Sequence, residues 1–230
     1  MLRKGDLTQG GIITTLLQFT LPMLAGSLLQ QCYNIADTLI VGQCIGANAL
    51  AAVGSAYTLM VFLISILLGL SMGSGTVFSL QYGAGDLSAL RRSIYVSLLL
   101  IGTVTILLNV AVFLWLDPIL RWLQVPYDIY SLMRNYLWII FWGIVFTFLY
   151  NFYAALLRAV GDSVTPLWFL AVSVVLNIGL DLFLILVLDQ GIEGAAVATV
   201  IAQGTAASGI LLRPTICDEL RNIDGARVGK

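Results

Sequence analysis

Six long apolar runs, separated by short polar breaks, fill the first 212 residues of the chain. They lie at about 15–41, 57–80, 94–116, 132–157, 166–188 and 195–212. Runs of roughly 20 residues are what an α-helix needs to cross a bilayer. The breaks carry turn residues: Gly83-Ala84-Gly85-Asp86, Asp117-Pro118, Pro126-Tyr127-Asp128, Gly161-Asp162 and Asp189-Gln190-Gly191. Short connections make consecutive helices antiparallel neighbours. The pattern predicts an all-α integral membrane protein: a six-transmembrane-helix bundle over residues 1–213, then a polar cytoplasmic tail at 214–230. Asp117 to Ser131 is the longest break on its side. Its Ile119, Leu120, Trp122, Leu123 and Val125 fit a short amphipathic helix in the interface. Gly11 to Leu17 is expected to run along the opposite interface before the first span enters.

Polar positions inside these runs are few and ordered. Asp37 is the only charged residue between Leu7 and Gly85. Gln30, Asn34, Asp37 and Thr38 fall on one face of helix one. Asn177 and Asp181 are four apart on helix five, with Ser173 one turn earlier; Thr199 and Gln203 are four apart on helix six. Helix four adds Tyr136, Tyr150, Asn151 and Tyr153. An ionised carboxylate in hydrocarbon costs at least about 2.5–3.5 kcal/mol. Asp37 and Asp181 must therefore be partnered, protonated or set in a watery cavity. Arg134 stands at the outer end of the fourth run, and no Lys or Arg lies deeper in the membrane to neutralise them, so the pair suits a cation or a proton. Two close carboxylates at low dielectric resist ionising together, which leaves one able to exchange a proton near neutral pH. The competing reading is a hydrogen-bond clamp between helices. Membrane hydrogen bonds average well under about 1 kcal/mol, a poor return for a buried carboxylate. For Gln30, Tyr150 or Gln203 taken singly, helix gluing suffices.

Composition agrees with the pattern. Hydrophobic residues make up 60% of the 230 and charged residues 10%, more apolar surface than a soluble domain of this size can hide. The net charge of −1 says nothing about nucleic acid, and no basic block or aromatic-basic interleaving points to it, so no nucleic-acid partner is expected. The first run follows Arg3 and Lys4 but is too long for a signal peptide and holds Asp37. With the N-terminus inside, nine of the eleven basic residues fall on the cytoplasmic side, and only Arg121 and Arg134 outside. Both termini are then cytoplasmic. Cys32, Cys44 and Cys217 have no pair or ligand spacing and read as small packing residues. The chain has no histidine, no paired Ser and Lys, and no nucleophile elbow or phosphate loop, so an enzyme is not expected. No cofactor is expected, and no metal beyond a sodium ion at Asp37 and Asp181.

Pro22 sits in the first turns of helix one, where it fits a static bend or a hinge. Gly69, Gly73 and Gly75 in helix two, and Gly194, Ala198 and Ala202 in helix six, let helices approach closely. Ala51-Ala52-Val53 follows Asp37 at the spacing with which Ala195-Ala196-Val197 follows Asp181; coincidence in Ala-rich sequence competes with a trace of duplication.

Several motifs in fixed order carry a resemblance. Pro22, Tyr33, Asp37, Gly42 and Gly46 precede Ala51-Ala52. Gln81-Tyr82-Gly83-Ala84-Gly85-Asp86 precedes Arg91-Arg92. Leu157-Arg158-Ala159-Val160-Gly161-Asp162 precedes Pro166. Asn177 and Asp181 precede Gly191, Gly194-Ala195-Ala196 and Ala198-Thr199. From about Leu7 to Arg213 the chain resembles the multidrug and toxic compound extrusion (MATE) family of cation-coupled efflux transporters. The resemblance implies one lobe of a two-lobed, twelve-helix antiporter of the cytoplasmic membrane, coupled to H+ or Na+ and exporting cationic or amphipathic drugs. It implies a cation site at Asp37, Asn177, Asp181 and Thr199 with Tyr136 nearby, and a helix-one kink at Pro22. Gln30, Asn34 and Gln203 are expected to line the cavity or support the site. One departure is Ala154, where some members carry an asparagine that completes a sodium shell. The tail from Pro214 does not resemble the family's inter-lobe linker. A second six-helix lobe is expected as partner, with a truncated product favoured over a natural half-protein. The alternatives are a lipid-linked oligosaccharide or polysaccharide flippase of related fold, which would want intramembrane Arg or Lys, and a non-transporting membrane fragment or subunit.

Overall fold

Apolar runs of this length bury little of themselves in one another, so the helices they form pack along seams and leave broad faces for lipid. The computed structural model describes residues 12–212. Six α-helices follow in order: α1 Ile12–Cys44, α2 Ala47–Gly83, α3 Leu87–Trp122, α4 Tyr127–Ala159, α5 Val164–Leu182 and α6 Gly191–Leu211. A π-helical turn, Phe183–Val187, extends α5. Helices α2 to α6 are each long and apolar enough to cross a membrane. The 33-residue α1 is long enough too, but Gln30, Gln31, Asn34 and Asp37 dilute its apolar content. Large side chains such as Ile13, Leu28, Leu107, Leu114, Trp168 and Val175 are exposed. Apolar faces of that extent belong against hydrocarbon. This is a multi-pass membrane protein.

Two of the expected turns use one device. Gly85 and Gly161 take φ of +70° and +88°, a conformation open to glycine, and end α2 and α4. The next residue is an aspartate that caps the following helix. Asp86 Oδ1 accepts from the Ala89 amide at 3.0 Å and the Ser88 hydroxyl at 2.8 Å, which hold its carboxyl below the usual range. Asp162 accepts from the Thr165 amide at 3.0 Å and its hydroxyl at 2.6 Å.

The helices outrun the apolar stretches. α2 begins at Ala47, well before the run at about 57, because the small residues Ala49, Ala52, Val53 and Ala56 are buried. No separate interfacial helix follows α3. Its residues belong to α3 itself, which bends at Trp115 (φ −110°, ψ 15°) and continues through Pro118 to Trp122. Leu116 and Leu120 of that last stretch are buried and Trp122 is exposed. Arg134 Nε of α4 ties it down by donating to Asp117 Oδ1 at 2.7 Å, with the Tyr130 hydroxyl on the same oxygen at 3.0 Å. Cys32 and Cys44 are exposed rather than packed. Arg3, Lys4, Gly11, Cys217 and the tail from Pro214 lie outside the described residues.

α4 is the centre of the bundle. Against α2, Phe78 and Phe152 meet edge to face at 5.9 Å, and Gly75 lies against Ala155. Against α3, Asn109 Nδ2 donates 2.8 Å to the Phe141 carbonyl. Against α6, a Cβ on Gly143 would fall 2.9 Å from Val200. α5 closes on α6 through Ser173 Oγ, which donates to the Ala202 carbonyl at 2.8 Å, and through Gly209 beneath Phe169. α1 lies along α5, with Gly26 facing Leu167 and Leu170. The seam where α1, α5 and α6 converge beside α4 holds the polar residues.

Candidate cation site

Helical periodicity alone brings the first pair together. Tyr33 and Asp37 are four apart, so both side chains leave α1 on the face that packs on α5 and α6. Asn177 and Asp181 repeat that spacing on α5, and both are fully buried. Thr199 and Tyr136 face the same place from α6 and α4 and are buried as well.

The hydrogen bonds join the helices. The Tyr33 hydroxyl donates to Thr199 Oγ1 at 3.2 Å, linking α1 to α6. Asn177 is satisfied at both ends in one amide orientation. Its Nδ2 then donates to Asp181 Oδ2 at 3.0 Å and its Oδ1 accepts from the Thr199 amide at 3.3 Å. The Asp37 and Asp181 carboxyls lie within hydrogen-bonding reach of each other. Tyr136 of α4 is buried beside both acids. One oxygen of each carboxyl, Asp37 Oδ1 and Asp181 Oδ1, is buried with no donor among the described residues.

That arrangement has more acceptors than donors. Two carboxyls in contact need a positive charge between them, and no Lys or Arg among the described residues supplies it. A shared proton would turn one oxygen into a donor. A sodium ion would take the oxygens of Asp37, Asp181 and Thr199, the hard ligands it prefers, and that of Asn177 once its amide turns over. With two carboxylates the described residues form no cluster of three or more acidic, Cys or His groups.

Asp37, Asn177, Asp181, Thr199 and Tyr136 are thus brought to one point. Gln30 is not: it is exposed on α1. Asn34 turns along α1, its Nδ2 donating to Gln31 Oε1 at 3.1 Å and its carbonyl accepting from Thr38. Gln203, one turn beyond Thr199, accepts from Thr147 Oγ1 at 2.8 Å and ties α6 to α4. Pro22 is inside α1, fifteen residues or about 22 Å from Asp37. Tyr33 is the participant that the polar stripe overlooked. Its place four residues before Asp37 was the available signal, but a tyrosine reads as apolar in a membrane run.

Comparison with known proteins gives the geometry a context. The family model MatE matches residues 22–183. "Probable multidrug resistance protein YpnP" of Bacillus subtilis is 38% identical over 87% of this chain and 45% of its own length. "Multidrug export protein MepA" of Staphylococcus aureus is 31% identical over 85% of this chain and 44% of its own. The chain spans about half the length of these relatives. Among solved structures, that of the "Vibrio cholerae MATE transporter VcmN in the bent form" superimposes with a TM-score of 0.81 at 29% identity, covering 89% of this chain and 46% of that one. One described as "MATE in the straight conformation" gives 0.79 at 25% identity, covering 84% and 43%.

Proposed function

We propose, as the chain belongs to the MatE family, that it forms the ion-coupling lobe of a drug exporter. The lobe sits in the cytoplasmic membrane with both termini inside. A proton or sodium ion held between Asp37 and Asp181 is exchanged for a cationic or amphipathic drug moving outward. A second six-helix lobe completes the cavity. The observation that carries this reading is the meeting of two buried carboxyls, each with an orphan oxygen and no countercharge. Relatives named for multidrug resistance and export support the drug as cargo.

Coupling needs an ion that favours one of two arrangements. Here the ion would bond α1 through Asp37 to α5 and α6 through Asp181, Asn177 and Thr199. Its loss leaves two carboxylates to repel each other across that seam. α1 is the element free to respond, since much of its outer face packs on nothing in this lobe. Pro22 removes one backbone hydrogen bond in it and provides the hinge. Neighbours solved in bent and straight conformations support such a movement.

The test is gradient-driven drug efflux in membrane vesicles, with the chain expressed beside a complementary lobe. Asp37→Asn and Asp181→Asn should each abolish efflux driven by a proton or sodium gradient while the protein remains in the membrane. Efflux that survives both substitutions contradicts the site.

A further inference from the structure

A second polar feature lies away from the aspartates, between α2 and α3. There the helices part around a groove of about 580 Å³, within the size range of ligand sites. Its floor is made of small residues: Gly69, Gly73 and Ser74 of α2, and Ser93 and Ser97 of α3. Val77 and Val96 flank it, both exposed. A Cβ built on Gly69 or Gly73 meets nothing within 4 Å, so the space is open and not closed by neighbouring side chains.

Arg92 lines the same groove, is exposed, and has no ion-pair partner among the described residues. It lies five residues into α3, about 8 Å from the Gly83–Asp86 turn. At that depth a long side chain keeps its charge near the interface while its stem lies against apolar surface. Ser93 is held in place by Gln81, whose Nε2 donates to Ser93 Oγ at 2.8 Å; the Ser93 hydroxyl proton stays available. From Arg92 the groove runs along α2 toward Gly69, fourteen residues or about 21 Å from the end of that helix at Gly83.

A guanidinium and hydroxyls at the interfacial end, and a glycine-floored apolar channel leading toward mid-membrane, match one molecule. We propose that this groove binds an anionic phospholipid of the leaflet at the α2–α3 turn. Arg92 pairs with the headgroup phosphate, which its planar fork fits, and Ser93 and Ser97 donate to its oxygens. One acyl chain lies over Gly73 and Gly69, between Val77 and Val96. A free phosphate ion would use the arginine but not the channel. This inference rests on the membrane reading of the chain and not on the coupling site.

Native mass spectrometry of the purified chain in detergent tests it, with phosphatidylglycerol or phosphatidylcholine added. The wild type should retain phosphatidylglycerol about fivefold better than phosphatidylcholine, the effect of one arginine near an anionic headgroup. Arg92→Ala should erase that preference and Arg92→Lys should keep part of it. Gly73→Leu should lower retention of both lipids by filling the channel. Gly69→Leu, on the next turn, serves as a second filling variant should the first fold poorly. Three results overturn the proposal: equal headgroup preference in wild type and Arg92→Ala, displacement of the lipid by inorganic phosphate alone, or cross-linking that finds a second copy of the chain over α2 and α3.

Discussion

At Asp37 no Lys or Arg among the described residues offsets the cost of a carboxylate in hydrocarbon. Asp181 stands opposite, Asn177 orients Asp181, and Thr199 links Asn177 to Tyr33. A clamp would saturate every oxygen, whereas here one oxygen of each acid is left over. Tyr33 makes the most specific residue-scale prediction. Tyr33→Phe removes one donor to Thr199 and keeps the ring. It should lower thermal stability in detergent by about 0.6 kcal/mol, the ordinary value of a membrane hydrogen bond. It should weaken cation binding at the aspartates by more than that small loss implies, because the α1–α6 link goes with it. Melting and cation titration on the same sample separate the two effects. The acids were legible in the sequence because a charge in an apolar run is conspicuous, and their partners because helical spacing puts Asn177 beside Asp181. Gln30 and Asn34 share the stripe of Asp37 in a helical projection, but α1 packs on only part of that stripe.

The helices themselves were readable from apolar runs, but their ends were not. Hydropathy senses the bilayer, and a helix ends where its turn chemistry says so. Gly85-Asp86 and Gly161-Asp162 end and restart helices at positions a glycine–aspartate pair can announce. Nothing comparable marks the start of α2 at Ala47, since short alanines are buried without being strongly hydrophobic. The stretch after Trp115 was recognisable as amphipathic. Its continuity with α3 depends on Arg134 and Tyr130 reaching back to Asp117, a contact 13 and 17 residues away. Close packing between helices was legible only as a list of small residues. The structure ranks them: a Cβ on Gly209 would fall 2.5 Å from the Phe169 ring, while one on Gly179 meets nothing within 4 Å. Gly209→Ala should therefore cost about 1–3 kcal/mol by overpacking the α5–α6 seam. Gly179→Ala should be neutral or slightly stabilising, as alanine favours the helix. Thermal unfolding of both variants in one detergent checks the contrast.

At the scale of the molecule, α1, α5 and α6 carry the two acids with Asn177 and Thr199, α4 adds Tyr136, and α2 and α3 pack on the far side of α4. The division matters because the proposed ion at Asp37 and Asp181 would act on the seam between α1 and α5–α6 rather than on the α2–α4 packing. The chain covers about half of its relatives. On the proposed reading, cargo transport would need a second lobe, whereas the residues proposed to bind the cation are all on this chain. Cation binding at Asp37 and Asp181 can therefore be measured on this chain alone. The most direct measurement is the number of protons or sodium ions exchanged per purified chain, from proton release and sodium uptake in lipid. One exchangeable monovalent cation per chain is expected, lost in Asp37→Asn and in Asp181→Asn. An unchanged count in both variants would contradict it.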